Sequence, residues 1–126
     1  MMTENEISYK IRGAIFAVYN ELGPGLLESV YESALTYHLK LDGMTIRTQV
    51  PILVIYGNTT IEIGFRLDIL VNEIVIIEIK SIETLAAVHH KQLLTYLRLT
   101  GIKLGILVNF NTANIAVSIY RKVNNL

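Results

Sequence analysis

Asp68, Glu78 and Lys80 carry charge into a part of the sequence where charge is unfavourable. The run Ile74-Val-Ile-Ile-Glu78-Ile79-Lys80 is otherwise apolar, the pattern of a strand buried on both faces of a sheet. An unpaired charge in such a place is strongly disfavoured, so these charges need a reason. Side chains two apart on a strand share a face, so Glu78 and Lys80 point together. Asp68 ends the preceding strand-like run, and the Asn72-Glu73 turn between the runs folds a hairpin that brings Asp68 beside them. Two carboxylates and one ammonium converging at a sheet suit a divalent metal ion and an attacking water. Asp68 and Glu78 are hard oxygen ligands for Mg²⁺ or Mn²⁺, and the backbone carbonyl of Ile79 can add a further ligand. Lys80 would orient the water or stabilise charge developing at phosphorus.

Other residues are candidates for the same site. Glu28 and Glu32 stand one helical turn apart just after Gly23-Pro24-Gly25. Their ordinary reading is two solvated glutamates. The functional reading turns Glu28 toward the sheet as a further metal-site acid. Gln92 and Tyr96, also one turn apart, could touch a phosphate or the nucleophilic water, or simply form a polar helix face. His89 and His90 are adjacent on a helix and so do not face each other, which argues against a shared metal. His89 can still line the cleft beside Gln92. Tyr31 reads as a packing residue with a satisfied hydroxyl. The direction of Gln49 on the first strand is left open.

The elements that must hold these residues follow from periodicity. Ile7, Ile11, Ala14, Ile15, Val18 and Leu22 define an amphipathic helix over about Glu4–Leu22. A second helix runs from about Leu26 to Leu41 with Leu27, Val30, Ala34 and Leu41 as its apolar stripe. Strands are expected at about Arg47–Tyr56, Thr60–Leu70 and Ile74–Lys80, joined by connections short enough for an antiparallel meander. The middle one alternates, with Ile61, Ile63, Phe65, Leu67 and Ile69 on one face and Asp68 beside Arg66 on the other. A third helix runs from Glu83 or Thr84 to Thr100 and stops at Gly101. A central strand, Ile102–Val108, a polar loop over 109–114 and a last strand, Ile115–Tyr120, complete the set. The tail 121–126 is expected to be loosely held. The order predicts one α/β domain over residues 1–126, a mixed sheet flanked by the Glu28 and Gln92 helices with the first helix packing outside.

Bulk properties narrow the function. At 126 residues the chain is one domain with room for a core. Its formal net charge is zero, which speaks against a protein that coats nucleic acid non-specifically but leaves room for a local basic patch. Cysteine is absent, which removes disulfides and thiolate metal sites. The N-terminus lacks a signal-peptide pattern and no stretch is apolar for the length of a membrane span, so a soluble cytoplasmic protein is expected. With 52% apolar residues, some of them could be hidden in a homodimer.

The Asp68, Glu78-Ile79-Lys80 arrangement, with Glu28 before it and Gln92-Leu-Leu-Thr-Tyr96 after it, resembles the PD-(D/E)XK nuclease superfamily. More closely, Leu22-Gly-Pro-Gly-Leu-Leu-Glu-Ser-Val-Tyr31 is similar to the family named for its GxxExxY signature, here Gly25, Glu28 and Tyr31. Gly64-Phe-Arg-Leu-Asp68, Gln92–Tyr96 and Gly105-Ile-Leu-Val-Asn-Phe110 resemble that family's later blocks, so the likeness spans about Ile7 to Tyr120. It implies a restriction-endonuclease-like fold with an αβββαβ core. It also implies a Mg²⁺-type site of Glu28, Asp68, Glu78 and Lys80, supported by Gln92 and Tyr96. Leu67 stands where the superfamily's name has proline. The expected activity is metal-dependent hydrolysis of phosphodiesters, with DNA as the first substrate to test. The competing reading is a catalytically silent binding module of the same fold within a repair or defence assembly. A third is a hydrolase of small nucleotides, which would need a closed pocket.

Overall fold

The first helix is set by its cap. Thr3 Oγ1 accepts the Glu6 N–H and the Glu6 carboxylate accepts the Thr3 N–H, a reciprocal pair that satisfies two donors at the helix start. The computed structural model describes all residues, 1–126. Its elements are α1 (Glu4–Leu22), α2 (Glu28–Leu41), β1 (Ile46–Tyr56), β2 (Thr59–Val71), β3 (Val75–Lys80), α3 (Ala87–Thr100), β4 (Leu104–Asn109), a 3₁₀ turn (Ile115–Val117) and β5 (Ile119–Val123). The strands lie in the order β1-β2-β3-β4-β5. Only β3 and β4 are parallel, a pairing that needs a crossover connection, which α3 supplies. This is an α/β architecture consistent with a restriction-endonuclease-like fold. No helix is long and apolar enough to cross a membrane.

Two cores sandwich the sheet. On one face α1 and α2 bring Ile7, Ile11, Ile15, Tyr31, Leu35 and Leu39 onto Ile69, Val71, Ile77, Ile106 and Val108. On the other, Leu93, Tyr96 and Leu97 of α3 meet Ile52, Leu67, Leu70, Ile76 and Leu107. Gly105 lets α3 come close, because a Cβ there would stand 2.8 Å from Leu93 Cδ1. The helix α1 therefore does not pack outside; it shares a face with α2 and fills the larger core.

Several boundaries and faces differ from the sequence expectation. The buried residues of α2 are Tyr31, Leu35 and Leu39, while Leu27 and Leu41 are 75% and 73% exposed. Tyr31 causes the rotation: its ring stacks on Phe110 with centroids 4.2 Å apart. The helix α3 starts at Ala87 because Asn109 clamps the preceding segment, accepting the Ile82 N–H and donating to the Ile82 carbonyl. At the other end, Asn114 accepts the Ala116 N–H and nucleates the 3₁₀ turn. That displaces the last strand to Ile119–Val123, where it pairs Leu104 with Val123 and Val108 with Ile119. The tail is consequently held: Asn124 N–H donates to Lys103 O at 2.8 Å.

The largest difference lies in β2. Ile69 packs in the α1–α2 core and Leu67 in the α3 core, although residues two apart on a regular strand share a face. The neighbouring strand switches over the same interval, with Ile46 packed toward the first core and Val50 toward the second. Gln49 lies between them with φ +52°, a conformation rare for a side chain other than glycine. The hairpin rolls over at Gln49 and Asp68, so the single alternating face expected from Ile61 to Ile69 does not exist.

Candidate active site

The site forms where that roll separates two strands. β2 and β3 pair at Ile69–Ile77, Leu70–Ile76 and Val71–Val75. One step further Asp68 faces Glu78, and there the side chains replace the ladder. Glu78 Oε1 accepts the Asp68 N–H at 3.2 Å, and Asp68 Oδ2 accepts the Ile79 N–H at 2.8 Å. Each carboxylate thus satisfies a backbone donor that the parting strands would otherwise strand.

Glu78 is only 5% exposed. Burial, and then the neighbouring charge of Asp68, push its pKa up to about 8. The chain's two ion pairs, Arg47–Glu73 and Arg66–Glu62, lie elsewhere. Lys80 is half-buried and follows two residues after Glu78 on the α3 side of β3, but makes no ion pair with either acid. Tyr96 comes over the same face from α3. It is 3% exposed, and burial followed by the charges of Glu78 and Asp68 raise its phenol to about 12. Phe65 of the hairpin covers it, with ring centroids 6.0 Å apart. Gln92, one turn earlier on α3, is half-buried.

Glu28 reaches the end of β3 from the other side. Its Oε2 accepts the Ser81 N–H at 3.2 Å, and Ser81 Oγ donates to Leu26 O at 2.5 Å. Tyr31 fixes that turn: its hydroxyl donates to Gly23 O at 2.6 Å and accepts the Leu26 N–H at 3.1 Å. Glu28 therefore sits at the rim, one residue beyond Lys80. No three His, Asp or Glu side chains gather closely enough to cage an ion; Asp68 and Glu78 are brought together as a pair, while Glu28 is held on Ser81 just past the end of β3.

Two residues outside the expected set join the pair. Gln49 Nε2 donates to Glu32 Oε1 at 2.6 Å and to Asp68 Oδ1 at 3.5 Å. Arg66 holds the Gln49 backbone carbonyl at 3.2 Å. Glu32 is not a solvated glutamate: burial first, opposed by the Gln49 hydrogen bond, and then the Asp68 charge leave its pKa raised. The signal was the rotation of α2, since Glu28, Tyr31, Glu32, Leu35 and Leu39 follow the three-four spacing of one face. The histidines go elsewhere. His89 Nδ1 accepts the Ala86 N–H at the start of α3, and His90 lies edge-on to Tyr120 of β5.

This donor set fits a divalent cation. Two hard oxygen ligands, one of them buried so that it favours its protonated form, suit an ion of the Mg²⁺ or Mn²⁺ class, which would displace that proton on binding. A five-stranded mixed sheet with paired acids at a strand separation, and a lysine two residues on, defines a nuclease-like α/β protein. The family profile of the PD-(D/E)XK nuclease superfamily matches residues 5–122, and the chain belongs to that superfamily. Comparison with curated proteins gives no match, and neither does comparison with solved structures.

Proposed function

We propose that this protein is a metal-dependent nuclease that hydrolyses phosphodiester bonds, with DNA as its substrate. The observation that carries the reading is the Asp68–Glu78 pair, a half-buried and a buried carboxyl facing each other where β2 leaves β3, in a member of a nuclease superfamily. Asp68 and Glu78 would hold Mg²⁺ or Mn²⁺, with the Ile79 carbonyl as a further ligand and Glu28 contributing directly or through water. When bound, such an ion lowers the pKa of its water and neutralises charge on the phosphoryl oxygens. Lys80 would supply an ammonium on the same face to orient water or steady charge at phosphorus. Tyr96, with its phenol at about 12, stays protonated at neutral pH and serves as a hydrogen-bond donor, not a base. Gln92 places an amide beside it for a phosphate oxygen. The Gly25, Glu28 and Tyr31 signature supports placement in the GxxExxY branch.

The test uses labelled single- and double-stranded DNA and RNA with Mg²⁺ or Mn²⁺, alongside calorimetric titration of each ion. Wild type is expected to cleave DNA, and Asp68→Ala and Lys80→Ala to lose cleavage by roughly a hundredfold or more. Asp68→Ala should also lose ion binding, whereas Lys80→Ala should keep it. An intact fold that binds neither ion and cleaves nothing would overturn the reading in favour of a silent interaction module.

A further inference from the structure

Beyond Asp68 the β1–β2 hairpin has no third strand. β3 pairs with β2 only over Ile69–Val71, so the segments from Pro51 to Tyr56 and from Thr59 to Arg66 pair only with each other. Two-stranded ribbons are marginal in water. This one nevertheless exposes Leu53, Ile55, Tyr56, Ile61 and Phe65 by 53%, 78%, 77%, 43% and 51%. Glu62 is the only charged side chain from Val50 to Phe65. β1 is also an edge of the sheet. Proteins blunt exposed edges with lysine, proline or irregular register; here the irregularity and Pro51 lie at the inner end, and Ile52–Tyr56 carries neither charge nor proline.

We propose that this edge pairs with the same edge of a second copy, antiparallel about a two-fold axis, so that two ribbons become one four-stranded sheet. The segment is complementary to itself. Centred on Val54, antiparallel pairing sets Leu53 of one copy against Ile55 of the other on one face. On the opposite face it sets Tyr56 at the level of Ile52, which is already buried in the α3 core. Charge argues against other occupants. The ribbon offers no cation to a phosphate backbone until Arg66, which is engaged with Glu62 and the Gln49 carbonyl. Leu53, Ile55 and Tyr56 of the pairing strand would each lose part of their exposed surface to cross-strand neighbours, and the edge backbone adds hydrogen bonds, a seam smaller than the ~800 Å² per partner of a standard interface. A weak, reversible dimer is expected. The inference is independent of the proposed activity.

Sedimentation equilibrium of the full chain over roughly 1–300 µM tests it. Wild type should rise from monomer to twice the monomer mass. Ile55→Lys and Leu53→Lys should raise the dissociation constant roughly tenfold or more, with unchanged circular dichroism and melting of the monomer. Val88→Lys, at a 63% exposed position on α3, should dimerise like wild type. A wild type that stays monomeric, folded lysine variants that dimerise unchanged, disruption by Val88→Lys, or open-ended assembly beyond the dimer would each overturn the proposal.

Discussion

From Ile69 to Val71, β2 lies between two strands, and its side chains alternate between two cores. From Thr59 to Arg66 it has β1 alone, and every residue but the half-buried Ile63 is exposed. The same strand is therefore core at one end and periphery at the other, and Asp68 is the residue at the border. The sheet fixes Glu78 within β3, while the departing hairpin takes Asp68 out of the ladder and leaves its carboxylate to accept the Ile79 N–H. The proposed metal site would suit such a border, because ligands must be held by the scaffold yet left open on one side.

The comparison breaks most directly through stability. Ile77→Ala, at a fully buried position on β3, should lower unfolding free energy by about 2–5 kcal/mol through lost burial and a residual cavity. Ile61→Ala, on the outer ribbon, should change it by no more than about 0.5 kcal/mol. Chemical denaturation of the two variants measures both. Equal losses would mean that the hairpin is packed as firmly as the sheet.

The inner half was readable because its pattern is local. An apolar run with two charges fixed β3, and the Asn72-Glu73 turn set the register that brings Asp68 opposite Glu78. The α1 stripe and the Gly101 stop were equally plain. The outer half misled because alternation assumes a straight strand. Nothing in Thr60–Leu70 announces that Gln49 adopts φ +52°, a conformation set by its Glu32 and Asp68 contacts and by Arg66. The α2 stripe misled for a related reason: Tyr31 is the packing residue with a satisfied hydroxyl that the sequence suggested, but the partner that turns its face inward in place of Leu27 and Leu41, Phe110, lies far along the chain. Both failures fall at the site, where local preference yields to tertiary geometry.

A smaller effect sharpens the electrostatic side of the border. Glu78 has its pKa raised from 4.5 to about 8 by burial and by Asp68. Between those values the folded chain holds a proton that the unfolded chain releases, so metal-free stability falls as pH rises through the window. The fall should be about 2 kcal/mol between pH 6 and 7.5. Glu78→Gln can still accept the Asp68 N–H but cannot ionise, and should flatten that slope. Denaturant titrations at the two pH values test this, and parallel slopes in wild type and variant would rule out the assigned burial. Added Mg²⁺ should likewise restore wild-type stability at the higher pH, because binding to the native state alone stabilises it.

A change of about 1 kcal/mol is expected at the rim. Tyr31→Phe keeps the stack on Phe110 but removes the hydroxyl that joins Gly23 O to the Leu26 N–H, a loss of about 1 kcal/mol. Glu28 follows that turn, so cleavage should fall several-fold more than the stability loss explains. Tyr31→Phe with unaltered cleavage would detach Glu28 from the chemistry.

The smallest expected effect on stability falls at Gln49, and there its sign separates structure from function. Its backbone occupies a left-handed conformation that glycine adopts without strain, so Gln49→Gly relieves the local strain while adding chain freedom in the unfolded state. The two nearly cancel, leaving stability within about 1 kcal/mol of wild type. The lost amide, however, no longer bridges Glu32 and Asp68. Asp68 then keeps its bond from the Ile79 N–H but loses its lateral restraint, and Glu32 repels it without a donor between them. Ion affinity and cleavage should fall together, several-fold, in a protein that melts like wild type. If Gln49→Gly lowered stability and left ion binding intact, the left-handed residue would be a brace for the hairpin and not for Asp68. The border between the two halves of β2 would then be set by packing alone.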